Sequence, residues 1–516
     1  MKNSVKISSI RNINKCNSIS EILELNSEKF SEKIFIHDHS SHEVNSISYS
    51  KFNYYVNCCC NFFEILKIKK NDVISILLDN SLTYLIIYFA SIRYGSILNP
   101  LPITLGNKII YEKILEVDPK IIFKDKNIEL NVKKLNKKVI EIKNCQNFIL
   151  QLNNLKTKKY RYKKTSKKNI AMLYYSSGTT GKSKIISYSN ESILENQKSL
   201  ISSRLTYNTN IHLCFLPLYH TASLRYSIKF NLCVGGTVVL FKNFWSVKNS
   251  IWKIIENYKV NYFQTVPTVL NVILNTNYKN FKRPKSIKFI GSGSAILPWN
   301  VKKSFENKFK IKISNLYGLS EIGASHFQNP FLKNNKPGHI GKIFPAFKFK
   351  IFKDKDFLND KNIGELGVKG KTILSNYYNN NNLFKKSLKE NFFLTGDFVS
   401  VDTKKNFFYV DRKKDLIIKG GVNILPSEIE KILQELKEIK DVAVTSMFDE
   451  FYGENICCYL VFHKNEKADL KKIDNYCLRQ LGAFKKPNKY RVLKDLPKGP
   501  SGKVLKIELK KTYGKK

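Results

Sequence analysis

Acidic residues are scarce in this chain of 516 residues, with 42 Asp and Glu against 88 Lys and Arg, and several other features are missing altogether. Ten cysteines occur without a CxxC pair and without the paired CxxC…HxxxH spacing of a zinc site, which points to reduced thiols in a cytoplasmic protein. The most apolar stretch, Asn80–Ile92 between Asp79 and Arg93, falls short of the roughly 20 residues that span a bilayer, so it reads as a buried helix and membrane contact is at most peripheral. The basic, Ser-containing start (MKNSVKISSIRNINK) has no apolar core of the kind a secretory leader needs, which leaves only a short organellar transit segment as an alternative. No internal repeat is present.

The formal charge of +46 would suit a nucleic-acid partner, but lysine is spread through the whole chain beside frequent Asn and Ile and forms no single patch. The densest run, Lys156–Lys168, interleaves two tyrosines with lysines as a stacking platform does, yet reads as a solvated linker. No nucleic-acid partner is expected. A chain of this length exceeds one ordinary core, so two or more domains are expected.

Apolar runs alternate with helix-length amphipathic segments from Asp72 onward. DVISILL, a segment ending near Tyr94, then SILNPL form one βαβ unit. The rhythm recurs at IAMLYYSS with a segment from Asn190, GGTVVLF with Val247–Tyr258, NYFQTV with Pro267–Leu274, and KFIGSGS with Asn300–Phe309. This predicts an α/β fold whose large N-terminal domain contains doubly wound parallel sheets. Between about 340 and 411 the pattern changes to short Gly-punctuated strands with a loop at Tyr377–Asn382, which predicts a β-rich subdomain. After Arg412 an α+β unit begins, with Ile429, Ile432, Leu433 and Leu436 on one helical face. The expected domains are therefore 1–411 and a small C-terminal domain, 412–516.

The most specific segment is Tyr175–Lys184 (YSSGTTGKSK), directly after an apolar strand. A Gly- and hydroxyl-rich turn in that place can aim N–H and O–H groups at phosphate oxygens. A Walker A loop would require Gly at Ser176, so a P-loop NTPase is excluded. Downstream, in order, come LPLYHTASL (Leu216–Leu224), GSGSA (Gly291–Ala295), NLYGLSE (Asn315–Glu321), a T-G-D at Asp397, YVDRKKDLIIKGGVNILPSEIE (Tyr409–Glu430) and LPKGPSGKVLK (Leu496–Lys506).

This ordered series resembles the adenylate-forming (AMP-binding) superfamily, of the acyl-CoA synthetase and aryl-CoA ligase type, over about Ile22 to Lys506. The departures are Ser183 and Ile185 where the family has Pro and Gly, Ser320 where it has Thr, and Gly499 where Thr is usual. The resemblance implies that Ser176, Ser177, Gly178, Thr179, Thr180 and Lys184 hold the ATP phosphates, and that Tyr219 and His220 line the way to the acid and thiol pockets. It implies Ser294, Ala295, Asn315, Tyr317 and Gly318 around adenine, Ser320 at the phosphates and Glu321 as a Mg²⁺ ligand. It further implies Asp397 and Arg412 at the ribose, a hinge at Lys414, a Gly420–Gly421 turn used in thioester formation, and Lys503 bridging carboxylate and α-phosphate. His220 taken alone is more often a structural histidine, and its place in the ordered motif series is what makes it an active-site wall residue.

The activity implied is ATP-dependent conversion of a carboxylic acid to acyl-AMP with pyrophosphate release, then transfer to coenzyme A, with a small C-terminal domain that moves between the two steps. The cofactors implied are ATP, Mg²⁺ and coenzyme A. An acyl carrier protein is the alternative acceptor, and a catalytically idle nucleotide-binding sensor is the alternative from another class. No acidic residue follows His220 in YHTAS to hold an ammonium, which disfavours an α-amino acid. Fatty and aryl acids both remain open as substrates.

Overall fold

Strands buried on both faces need apolar side chains at every position, and several here meet that demand: Val73–Leu77 and Thr237–Phe241 are buried along their whole length. The computed structural model describes residues 2–41, 44–130, 136–155, 165–175, 184–203, 210–279, 281–332, 335–353, 363–374, 376–463, 466, 468–499 and 504–513. Its contacts divide the chain into two units. One comprises Met1–Asn335, Ile343–Lys348 and Lys369–Ser387, and the other Lys336–Lys342, Phe349–Val368 and Leu388–Lys516.

The first unit holds two sheets with parallel centres, as the alternating pattern predicts. In one, Lys138–Ile142, Ile121–Asp125, Val73–Leu77, Ile97–Pro100 and Ile170–Tyr175 run parallel, followed by antiparallel Ile185–Ser189 and Asn376–Tyr377. In the other, Ile34–His39, Thr237–Phe241, Ile211–Cys214, Tyr262–Thr265, Phe289–Ser292 and Ile313–Leu319 are parallel, with Asn45–Ser48 and Gly323–Phe327 antiparallel beside the outer strands. The stretch Asn80–Ile92 is the helix Leu82–Tyr94, capped by Ser81 at its start and by left-handed Gly95 at its end, and buried from Leu82 through Arg93. Among the described residues no helix is long and apolar enough to cross a membrane. All ten cysteines are free and buried.

In the second unit, Lys348–Phe352, Ile363–Lys369, Phe392–Val401, Phe407–Arg412 and His339–Ile343 lie side by side in that order. A separate α+β layer pairs Ile439–Asp449 with Gly453–Phe462 and packs the helices Pro426–Leu433 and Leu470–Lys485 over Ile417, Ile424, Val444 and Ile456. Most of the β-rich stretch thus clusters with the C-terminal residues, though Ile343–Lys348 and Lys369–Ser387 stay with the first unit, whereas the sequence pattern groups all of it with residues before 411. The reason is visible at Asp411: its carboxylate accepts from the Ser427 N–H at 2.9 Å, while Ser427 Oγ donates to the Val410 carbonyl, tying strand Phe407–Arg412 to the start of helix Pro426–Leu433.

Two sequence readings need correction. The expected loop at Tyr377–Asn382 instead contains the end of the strand Asn376–Tyr377 and the start of the helix Asn381–Lys386, because the Asn380 side chain accepts from the Leu383 N–H and caps the helix. The segment Val247–Tyr258 is helical only over Ile251–Asn257. Residues 156–164 of the basic run lie outside the described residues.

Asn80 connects the two sheets of the first unit. Standing after Val73–Leu77, it donates to the carbonyls of Leu216 and Phe241 at 2.9 and 3.1 Å and accepts from the Leu218 N–H at 2.7 Å. Replacing it strands three buried backbone groups, each costing about 1–3 kcal/mol. Asn80→Ala is expected to lower the melting temperature by several degrees in a thermal unfolding experiment; an unchanged melting curve would remove the clamp from this account.

Candidate active site

The carboxyl ends of neighbouring parallel strands are where open α/β sheets take ligands. Here Ile211–Cys214 leads into the His220 segment, Phe289–Ser292 into Ser294 and Ala295, and Ile313–Leu319 into Ser320 and Glu321. The register Ser292↔Asn315 sets the second and third of these side by side. Ser294 has a left-handed backbone, φ 67°, which side chains rarely adopt and which clusters at functional sites.

Strand Ile313–Leu319 carries Asn315, Tyr317 and Gly318. Asn315 exchanges hydrogen bonds with Gln328 through its backbone, and Tyr317 is buried with its ring edge-on to His326. A bulge lies between Tyr317 and Gly318, where a Cβ on Gly318 would fall 2.1 Å from the Gly323 carbonyl oxygen. Glycine is required there by the close backbone approach.

A cluster forms immediately beyond that strand. The Tyr188 hydroxyl donates to the Ser320 carbonyl, and the Glu321 carbonyl accepts from the Leu374 N–H at 2.7 Å. Burial chiefly, with a contribution from the Glu321 carboxylate, raises the Tyr188 phenol to about 12 and pushes the Tyr377 phenol up as well. Lys184 Nζ lies 5.1 Å from the centre of the Tyr377 ring. Lys184, Tyr188, Ser320, Glu321 and Tyr377 are therefore brought together. Ser176, Ser177, Gly178, Thr179 and Thr180 lie outside the described residues, but the strands on either side are antiparallel partners, Tyr175 opposite Ile185.

His220 precedes the short helical turn Thr221–Ser223, with its ring 4.8 Å from that of Tyr219. Burial lowers it to about 4, so it is neutral at pH 7, and its Nε2 has no hydrogen-bond partner among the described residues.

In the second unit Asp397 and Arg412 are cross-strand partners, with Arg412 Nε 3.1 Å from Asp397 Oδ1 and the carboxylate buried. Gly396, at φ 70°, directly precedes Asp397 within strand Phe392–Val401. Lys414 sits on the surface in the 3₁₀ turn Lys413–Asp415. Gly420 and Gly421, with φ 54° and 80°, form an exposed two-residue hairpin turn between Ile417–Lys419 and Val422–Ile424, a conformation that demands positive φ at both positions. Lys503 lies outside the described residues. Close to it in sequence, Lys506 pairs with Glu430 at 2.6 Å; burial opposes its charge, but Glu430, Asp411 and Asp415 outweigh burial and raise it.

The family model described as AMP-binding enzyme matches residues 23–378, and that described as AMP-binding enzyme C-terminal domain matches residues 428–503. The chain belongs to the AMP-binding enzyme family. A long-chain-fatty-acid–CoA ligase of Bacillus subtilis is 31% identical over 345 residues, 66% of this chain and 61% of that protein. A sulfoacetate–CoA ligase of Cupriavidus necator is 30% identical over 66% of each chain, and a 4-coumarate–CoA ligase-like protein of Arabidopsis thaliana is 26% identical over 90% of this chain and 86% of its own. ATP-bound MatB from Rhodopseudomonas palustris shares the fold with TM-score 0.87 at 22% identity, covering 96% of this chain and 99% of its own. An o-succinylbenzoate CoA synthetase from Bacillus subtilis, in complex with its acyl-adenylate, gives TM-score 0.85 at 23% identity over 96% of this chain and 99% of its own.

In this AMP-binding enzyme the motif reading missed Tyr188 and Tyr377. The alternation within Ile185–Ser189 signals a strand but not that Tyr188 reaches a carbonyl 132 residues away. Tyr377 is hidden in an Asn-rich stretch.

Burial lowers His212 and His326 to about 3, alongside His220 at about 4, against an ordinary 6.5. Below pH 6.5 the unfolded chain takes up protons that the folded protein refuses, so stability falls with pH, by up to about 1.4 kcal/mol per unit for each residue. The melting temperature is expected to drop between pH 7.5 and 5.5, and His212→Gln should flatten that slope. A melting temperature that rises over this interval would contradict the buried neutral assignment.

Proposed function

We propose that this enzyme activates a carboxylic acid at the expense of ATP, forming acyl-AMP and pyrophosphate, and then transfers the acyl group to coenzyme A. The observation that carries this reading is the gathering of Lys184, Tyr188, Ser320, Glu321 and Tyr377 around the two ends of the phosphate loop. The coenzyme A ligases among its relatives support coenzyme A as acceptor in preference to a carrier protein.

A free carboxylate is a poor acyl donor because oxide is a poor leaving group. In the first step a carboxylate oxygen attacks the α-phosphorus of ATP, the bond to the β-phosphate bridging oxygen breaks, and pyrophosphate leaves. Two anions must meet, so positive charge and hydrogen-bond donors are required where charge accumulates. Lys184 and the loop donors Ser176–Thr180 serve the phosphates in this reading, and Lys503 bridges carboxylate and α-phosphate. Glu321, a half-buried carboxylate beside the phosphate-loop arms, is a hard oxygen donor of the kind Mg²⁺ takes together with phosphate oxygens, so the residues present fit that ion. When bound, Mg²⁺ screens the phosphate charge.

Asp397 offers acceptors for the ribose hydroxyls while Arg412 holds it in place. In the second step the thiol sulfur attacks the acyl carbon, the bond to the AMP oxygen breaks and the thiol proton passes to solvent. His220, neutral and with an Nε2 that has no partner among the described residues, acts as an acceptor for that thiol and not as a strong base. Rotation at Lys414 would withdraw Lys503 and present the Gly420–Gly421 turn, so one site serves both steps in succession.

Lys503→Ala is expected to slow acyl-AMP formation about 10²–10³-fold, comparable to losing one preorganised donor, while thioester formation from supplied acyl-AMP stays near the wild-type rate. Gly421→Val, which forces a branched side chain into φ 80°, should do the reverse. Equal losses in both half-reactions for Lys503→Ala would count against alternation.

A further inference from the structure

The acid pocket of this family must be specified by side chains close to the reacting carboxylate, and in the first unit one cluster near Glu321 is electrostatically incomplete. Residues Leu224–Lys229, which begin four residues after His220, form a π-helical turn, a rare geometry found mostly at functional sites. Arg225 and Lys229 lie four apart on it and are 7% and 6% exposed. Neither takes part in an ion pair among the described residues. Among the described residues Arg225 bonds the hydroxyls of Tyr188 and Tyr226, which burial keeps neutral.

A buried guanidinium stays charged, and burying it without a counter-anion is costly. Arg93, also buried, shows the alternative: it is enclosed by the Ser20 hydroxyl, the Ser20 carbonyl and Asn57. Around Arg225 the polar groups are unfinished. Asn196, 4% exposed, has no partner for either its Oδ1 or its Nδ2 among the described residues. The Glu321 carboxylate acts on the same Tyr188 phenol that Arg225 touches. Burial, reinforced by the charge of Arg225, lowers Lys229 to about 7, and Cys233 is the group that opposes this.

The backbone approaches these donors closely at the same place. Gly323, two residues beyond Glu321, has φ 77°; a Cβ there would come within 2.4 Å of Asn196 Nδ2 and 3.5 Å of Arg225 Nη2. Asn196 Nδ2 and Arg225 Nη2 therefore both lie against the turn after Glu321, next to Tyr188, which donates to the Ser320 carbonyl.

We infer that Arg225, with Asn196 and Lys229, is a subsite for a second anionic group on the acid, so that the enzyme selects carboxylic acids bearing a further carboxylate or sulfonate away from the one it activates. This rests on the adenylation reading above and adds the substrate class. A planar guanidinium matches a carboxylate through two parallel N–H···O bonds, Asn196 Nδ2 supplies another donor, and Lys229 adds charge. The bound anion offsets the buried cations, which makes an apolar chain end a poor competitor because it leaves them unpaired.

The test compares succinate, glutarate and adipate with butyrate, valerate and hexanoate, following AMP release with MgATP and coenzyme A. At the best chain length the wild type should favour the diacid over the matched monoacid by at least about 10-fold in kcat/KM. Arg225→Met should reduce that ratio by about 10-fold or more, chiefly through the KM for the diacid, and Arg225→Lys should keep most of the preference. A wild-type preference for monoacids at every length would overturn the inference. So would equal losses on both acid classes in Arg225→Met, the mark of disturbance transmitted through Tyr188. Failure of any acid to release AMP would instead remove the adenylation reading. The subsite is then tested by diacid-induced thermal stabilisation, expected in wild type and absent in Arg225→Met; no stabilisation in wild type would overturn it.

Discussion

The register of the parallel strands in the first unit is the constraint on which the site depends. Pairing Ser292 with Asn315 brings the turn after Phe289–Ser292 beside strand Ile313–Leu319, and the bulge at Tyr317–Gly318 then directs the chain into Ser320 and Glu321. A shift of one residue would reverse every side chain on that strand, placing Tyr317 and Asn315 on the opposite face. Asn80 fixes the remaining boundary by holding the Leu216 and Leu218 backbone, which starts the His220 segment, against the other sheet.

Charge follows from that geometry. The reaction proposed joins two anions, so the site must collect cations and donors without neutralising them beforehand. The 88 basic side chains are mostly solvated, but Arg225 and Lys229 are not, and neither takes part in an ion pair among the described residues. The buried histidines show the same economy of charge, since His212, His220 and His326 are held neutral within this unit. What distinguishes Arg225 is that guanidinium cannot escape by losing its proton.

Much of this was legible in the sequence where local pattern carries the information. Unbroken apolar runs announced Val73–Leu77, Ile97–Pro100 and Thr237–Phe241, and the apolar stretch Asn80–Ile92 marked the buried helix Leu82–Tyr94 between the first two. The motif residues Tyr317, Gly318, Ser320 and Glu321 lie on and directly after one strand, and Asp397 with Arg412 on adjacent strands, as contiguous motifs allow. Contacts across long separations were not legible. Nothing local ties Tyr188 to Ser320, Asn196 to Gly323, or Leu374 to Glu321, and a chain with lysine everywhere conceals the burial of Arg225 and Lys229. The capping by Asn380 was hidden by the turn composition of its neighbours, and the π-helical turn at Leu224–Lys229 follows no periodicity read for helices or strands.

The central claim is that a carboxylate attacks the α-phosphorus of ATP in this site and displaces pyrophosphate reversibly. It is tested most directly by exchange of labelled pyrophosphate into ATP, measured without coenzyme A and with and without a carboxylic acid. The account predicts exchange that requires the acid and Mg²⁺ and is largely lost in Glu321→Gln. Exchange independent of any acid, or release of ADP and phosphate in its place, would contradict it.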